Sequence, residues 1–169
     1  LYDVRAEHGP SRWQTGYDTP AFKAGRYVKE TFRNGTPVGM NGLAFNTRRP
    51  IFADIRVRQA LTLLFDFEWI NRNYFFGLYA RSAGFFAGSE LSAYGRPAYD
   101  RERELLKPFT ERIPPDILDG SYRLPVTDGS GRDRTTLRSA VKLLSEAGYD
   151  LDGTVLRQRA TKIPFTFEI

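Results

Sequence analysis

The sequence contains no cysteine, one histidine, one methionine and no long apolar run. Without cysteine there can be no disulfide, no thiolate nucleophile and no cysteine-held zinc or iron-sulfur centre. The redox chemistry of the compartment therefore leaves no mark. A lone histidine, His8, rules out two-histidine metal motifs and leaves a single imidazole base, which sits in a polar N-terminal stretch and reads as a surface side chain. The longest apolar stretch, around Leu61 to Phe65, falls far short of the roughly 18–20 residues a membrane-spanning helix needs. Nothing here is expected to cross a bilayer.

What the chain does have is enough apolar material for one domain. Of its 169 residues, 41% are hydrophobic, and 13 Phe, 9 Tyr and 2 Trp supply large packing surfaces, so wholesale disorder is not expected. The net charge is +5, but the basic residues are dispersed. Arg48 and Arg49, Arg56 and Arg58, Arg132 and Arg134, and Arg157 and Arg159 stand in pairs, interrupted by Asp54, Asp66, Glu68, Asp128 and Asp133. That pattern fits a solvated, mildly cationic surface better than a polyanion track.

Local patterns divide the chain. The first 25 residues, with Gly9-Pro10, Gly16, Pro20 and Gly25, read as a loop-rich entry anchored by Trp13, Tyr17 and Phe22. Alternation over 26–33, the turn signal Asn34-Gly35 and renewed extension over 36–46 predict a β-hairpin, with Pro37 confining its second strand to an edge or bulge. The period then shifts toward 3.6. Val57, Ala60, Leu61, Leu64 and Phe65 share a helical face behind the cap Asp54, and Asp66 caps a second helix that stops at Gly77. Residues 78–97 read as an ordered loop, 99–106 as a short helix, and Pro114-Pro115-Asp116 as a turn. Asp133 opens an amphipathic helix that buries Leu137, Ala140, Val141 and Leu144 and closes at Gly148. Ile163, Phe165, Phe167 and Ile169 alternate as one face of a strand. No repeat and no domain boundary is marked, and the elements sum to an α/β or α+β unit with helices covering a sheet.

No catalytic set emerges. Asp66 and Glu68 are two residues apart, which places them on different helix faces, and capping accounts for both. Asp150, Asp152 and Gly153 lack the remaining positions of a calcium loop and read as a solvated turn. Gly39-Met40-Asn41-Gly42 lacks the lysine and spacing of a phosphate loop. The loop bearing Tyr79, Arg81, Phe85, Phe86, Ser89, Glu90 and Tyr94 has the mixture of aromatic and polar groups that suits a concave binding surface, although the same aromatics could simply pin the loop to the core.

The stretch from Phe45-Asn46-Thr47-Arg48-Arg49-Pro50 through Val57-Arg58-Gln59-Ala60-Leu61, followed by Phe65-Asp66 and Gly77, resembles the signature of the family five extracellular solute-binding proteins. These are the peptide- and nickel-binding components of ABC importers. Leu143-Leu144-Ser145-Glu146-Ala147-Gly148-Tyr149 with Asp152-Gly153 resembles the family's second landmark, in the right order. Finer texture is similar to the YejA-like oligopeptide-binding branch: Trp13-Gln14-Thr15-Gly16-Tyr17-Asp18, Phe65 to Asn71, Phe86 with Ser89-Glu90-Leu91, and Gly129 to Leu137.

The resemblance implies a type II periplasmic-binding-protein-like lobe, a mixed sheet flanked by helices, of which residues 1–169 would be the first part of the second lobe and 1–25 the crossover region. It implies a non-catalytic, periplasmic, substrate-binding role, without cofactor. The expected partners are a short peptide, an inner-membrane ABC permease and the missing lobe of the same protein. The expected ligand contacts are Met40, Asn41, Gly42, Ala44 and Asn46 on the strand before the signature, and Arg81, Phe85, Phe86 and Ser89 on the loop. By alternation Met40, Gly42 and Ala44 share a face whose small residues leave room for peptide, opposite Leu43 and Phe45. The signature itself reads as structural, with Arg56 and Arg58 on its exposed side. The chain reads as a piece of a longer protein whose main anchor for a peptide amino terminus lies beyond it. A basic domain that stacks single-stranded nucleic acid on Phe and Tyr is the alternative, and the scattered arginines place it second.

Overall fold

The computed structural model describes residues 3–32 and 35–169. Its main elements are α1 (Pro20–Lys23), α2 (Ile55–Leu64), α3 (Phe67–Tyr74), α4 (Asp100–Leu106), α5 (Pro115–Leu118), α6 (Arg134–Glu146), β1 (Tyr149–Asp152) and β2 (Val155–Gln158). Single helical turns at Arg12–Gly16, Pro50–Phe52 and Lys107–Arg112 fill in between. The chain forms two compact units: Leu1–Asn41 with Ala80–Leu124, and Gly42–Tyr79 with Pro125–Ile169.

The second unit is built on caps and a helix pair. The Asp54 carboxylate accepts from Arg56 N at 2.8 Å and starts α2. Asp66 accepts from Trp69 N at 2.9 Å and starts α3. Asp133 accepts from Thr135 N and Thr136 N and starts α6. Each carboxylate satisfies N–H groups that a helix cannot satisfy internally. Helix α3 ends on Phe76 and Gly77, both left-handed, and α6 is followed by Gly148 at φ +90°. Val57 and Ala60 of α2 and Ala140 and Leu144 of α6 are buried together with Phe52, and small alanines let two helices approach closely. A run of ring contacts, Phe45–Phe52, Phe52–Phe167, Phe165–Phe167 and Tyr149–Phe165, ties the flanking segments to this core with centroids 5.0–5.7 Å apart.

Arg56 and Arg58 are half-buried, where the sequence placed them on the exposed side. Arg56 grips Asp54 and donates to the Glu146 carbonyl at the end of α6 (2.6 Å), and Arg58 donates to the carbonyls of Phe52 and Ala53. The signature motif is thus a clamp between α2 and its surroundings. Leu137 and Val141, expected in the core, are 50% and 39% exposed. Helix α6 packs on α2 and β1 and brings Ala140, Leu143 and Leu144 to the core instead.

The sheet differs from expectation. Asp150, Asp152 and Gly153 belong to a hairpin: β1 and β2 pair antiparallel, Tyr149 opposite Gln158 and Asp152 opposite Val155, around Gly153 at φ +62°. Residues 163–169 only partly join it, through Phe165 N to Leu156 O (2.8 Å), Gln158 N to Ile163 O and a bridge at Pro164. Phe165 and Phe167 pack on the core, while Ile163 and Ile169 are exposed. Of the hairpin predicted for 26–46, Asn34 of its turn lies outside the described residues. The described residues 28–32 and 35–46 form no strand and no helix. Pro37 offers no N–H, Gly35, Gly39 and Gly42 weaken any pairing, and the segment passes from one unit to the other at residue 42.

The first unit is stitched by hydrogen bonds. Tyr17 donates to Glu7 (2.8 Å), Tyr27 donates to Tyr17 O (2.8 Å), and Lys29 lies over the Trp13 ring. Ala98 N donates to Leu118 O, and Arg103 donates to the carbonyls of Ala98 and Leu118, which fastens α4 to α5. The Glu102 carboxylate reaches back to Tyr99 N (2.7 Å) and holds Arg96 in a two-point ion pair at 2.8 Å.

Candidate functional site

The expected ligand residues fall in both units. Met40, Asn41, Arg81, Phe85, Phe86 and Ser89 lie in the first, and Gly42, Ala44 and Asn46 in the second. In the first unit, residues 84–92 form successive turns: Ala87 N to Gly84 O, Ser89 N to Phe86 O and Ser92 N to Ser89 O. Ser89 holds the middle turn with its hydroxyl, which donates to Phe86 O (2.8 Å) and accepts from Leu91 N (3.3 Å). Phe85 and Phe86 stand out from these turns, 72% and 53% exposed. The aromatics therefore do not pin the loop to a core. Arg81 is half-buried at its start.

Residues 36–41 meet this loop at Val38. Val38 N donates to Ala87 O at 3.0 Å, and Gly88, at φ +78°, lies so close that a Cβ on it would sit 2.8 Å from Val38 Cγ2. Met40 and Asn41 continue this segment and are exposed.

In the second unit Gly42, Leu43 and Ala44 are exposed, and Phe45 turns inward against Phe52. Asn46 folds its side chain back, Oδ1 accepting from Arg48 N at 3.2 Å while its carbonyl accepts from Arg49 N. This Asx turn delivers the chain to Pro50–Phe52 and α2. Asn46 thus shapes the entry to the signature helix with its side-chain oxygen.

Sequence reasoning missed a polar knot in the same unit. Thr127 is buried, and its hydroxyl bonds Asp66 and also lies 2.9 Å from a Glu68 oxygen, which accepts from Thr127 N at 3.1 Å. Asp66 further accepts from Gly131 N (2.9 Å), and Arg72 donates to Gly129 O. Asp66 and Glu68 converge because Asp66 is the cap and lies outside the helix, where the face rule for residues two apart does not hold. Burial pushes the Asp66 pKa up, but the hydrogen bonds from Thr127, Trp69 N and Gly131 N outweigh it and hold the carboxyl below its usual value. The knot anchors residues 127–131 over α3. Beside it Leu64, Phe65, Trp69 and Ile70 line an open depression of about 290 Å³. Glycines 129 and 131 around Thr127 were the available signal.

Among the described residues no group of three or more acidic or histidine side chains is placed to hold a metal ion, and no helix is long and apolar enough to cross a membrane. His8 is exposed. The profile of the bacterial extracellular solute-binding proteins, family 5 (middle region), matches residues 2–169. The chain belongs to that family. A Brucella melitensis protein named as a candidate binding protein is 52% identical across 100% of this chain and 27% of its own length. Two Agrobacterium fabrum relatives are a peptidoglycan-binding protein, YepA, and a probable peptide-binding protein, YejA. YepA is 45% identical over 83% of this chain and 23% of its own length, and YejA 43% over 94% and 26%. The chain thus spans about a quarter of the length of the curated relatives it matches. Family 5 membership implies a periplasmic-binding-protein-like fold, a binding role and a location outside the cytoplasmic membrane. The signature arginines, in this family member, are bound to backbone carbonyls.

Proposed function

We propose that this chain is part of the substrate-binding component of an ABC importer, one that captures oligopeptides in the periplasm and hands them to an inner-membrane permease without doing chemistry on them. The observation that carries the reading is the family 5 match over residues 2–169, joined to relatives named for binding peptide and peptidoglycan. In this reading residues 1–169 are the first part of a second lobe. In the first unit Met40, Asn41, Arg81, Phe85 and Phe86 face the cargo, with Ser89 shaping the loop that carries the aromatics. Exposed backbone over 39–44, outside any strand, supports this, since a peptide can pair with such a segment. Lobe closure would then create the form that the permease accepts.

Calorimetry and thermal shift on the full-length protein, with pools of short peptides and with soluble peptidoglycan fragments, test the reading. Heat release and a raised melting temperature are expected with at least one pool. Silence with every pool overturns it. Residues 1–169 alone are expected to bind far more weakly than the full-length protein, because part of the cleft is absent.

A further inference from the structure

Charge is sparse in two segments of the first unit. Charged residues make up 27% of the chain, yet residues 35–41 and 82–89 contain none, with Arg81 and Glu90 bordering the second. These two segments are the ones that meet at Val38 and Ala87–Gly88. Around that junction Val38, Met40, Phe85 and Phe86 are 57%, 47%, 72% and 53% exposed. Apolar side chains left in water favour an apolar occupant, because covering them releases water.

We propose that the two segments form one composite surface that receives apolar and aromatic side chains of a bound peptide, with Gly88 as its positioning residue. This deepens the peptide-receptor reading and rests on it. Gly88 acts through Val38. Its left-handed backbone turns the loop so that the Ala87 carbonyl meets Val38 N, and its missing side chain lets the two chains touch. An alanine there would be strained at φ +78° and would press on a β-branched side chain with little rotamer freedom. The loop would then swing off Val38, and the aromatics and Met40 would no longer present together. The specificity that follows is for neutral, bulky side chains over ionised ones.

The test uses the full-length protein, two pools of short peptides (one rich in Leu, Phe and Tyr, the other in Asp, Glu and Lys), and the variants Gly88→Ala and Val38→Pro. Val38→Pro removes the N–H from the other side of the junction. The apolar pool is expected to bind at least about tenfold more tightly than the charged pool. Each variant should lose about tenfold for the apolar pool, and the double variant should lose no more than the worse single one, since both break one junction. Hydrogen exchange should show 36–41 and 84–91 gaining protection together when the apolar pool binds. Equal binding of the two pools, unchanged affinity in both variants, or full protection of these segments before any peptide is added would overturn the proposal; the last outcome would mean that the rest of the protein covers them. If the wild type binds neither pool, the assigned occupant falls, and the receptor reading falls with it where soluble peptidoglycan fragments are silent as well. The junction is then judged separately by Val38 amide exchange in the free protein, where faster exchange in Gly88→Ala upholds the positioning role and equal rates overturn it.

Discussion

The two units keep their shape by different means. Every buried hydrophobic side chain among the described residues, namely Phe52, Val57, Ala60, Ala140 and Leu144, belongs to the second unit. The first unit holds together through carbonyls caught by arginines, a capped short helix and glycines at tight backbone crossings. Apolar burial contributes roughly 25 cal/mol per Å² and tolerates small displacements, whereas a net hydrogen bond contributes about 1 kcal/mol and only at the right geometry. The second unit should therefore behave as a scaffold with a steep unfolding transition. The first, which carries the aromatic turns, should open locally at lower cost.

The sharpest way to break this contrast is to empty the scaffold. Leu144→Ala, at a side chain only 5% exposed, is expected to destabilise the full-length protein by about 3 kcal/mol in denaturant unfolding. Hydrogen exchange should show the loss in α2, α6 and the hairpin, with the amides of 98–118 little changed. Loss of protection throughout both units at once would show a single cooperative body and end the distinction. The converse variant is Gly120→Ala. Gly120 sits at φ +77°, and a Cβ there would lie 2.2 Å from the Arg96 carbonyl carbon, a backbone atom that cannot rotate away. A cost of about 2 kcal/mol is expected, read as faster exchange of the Ala98 amide that bonds Leu118, with α2 and α6 unaffected.

Next in size is Asp66→Ala, which removes the cap of α3 and two tethers to residues 127–131; about 1 kcal/mol of stability should go with the cap alone. Thr127→Val sharpens the result. It keeps the cap and removes the hydroxyl, so a similar loss would place the energy in the knot and a much smaller one would place it in the cap.

What was legible in the sequence follows the same divide. Asp54, Asp66 and Asp133 announced three helices because capping is chemistry between residues two or three apart, and Gly77 and Gly148 announced two ends for the same reason. The hairpin at 149–158 was hidden because its strands carry Asp150, Asp152 and Arg157, with Arg159 directly after them. Those charges read as a solvated turn until cross-strand pairing brings Asp150 against Arg159 and Asp152 against Arg157. Alternation over 26–46 misled in the opposite sense, since alternation marks a chain able to pair and says nothing about a neighbour. For the candidate site the sequence offered residue types and not their assembly. Phe85 and Phe86 could be named as contact surface, but the meeting of Val38 with Ala87 joins distant stretches that share no local pattern. The hydrogen-bonding of Asn46 and Ser89 within their own turns depends on backbone geometry that composition does not carry.

Acid separates the units by a smaller effect. In the first, the Arg96 guanidinium hydrogen-bonded to Glu102, helped by Tyr99 N, lowers that carboxyl from 4.5 to about 2. In the second, Arg159 and then Ser145 lower Asp150 from 3.8 to about 2. A carboxyl whose pKa is depressed on folding lends stability above its unfolded value, and that stability drains away as the pH falls toward the folded value. The first unit should accordingly begin to loosen near pH 4.5 and the second nearer 3.8. Both groups are open to solvent, so screening keeps each effect modest and salt should reduce it further. Glu102→Gln keeps an oxygen for Tyr99 N and removes only the charge. Urea midpoints taken from pH 7 down to about 2 should show this variant below wild type at neutral pH and converging with it in acid. Asp150→Asn should converge over a lower range. Curves that stay parallel to wild type for Glu102→Gln would show that the ion pair contributes nothing, and that the bonds of Ala98 N and Arg103 to Leu118 O hold α4 without it.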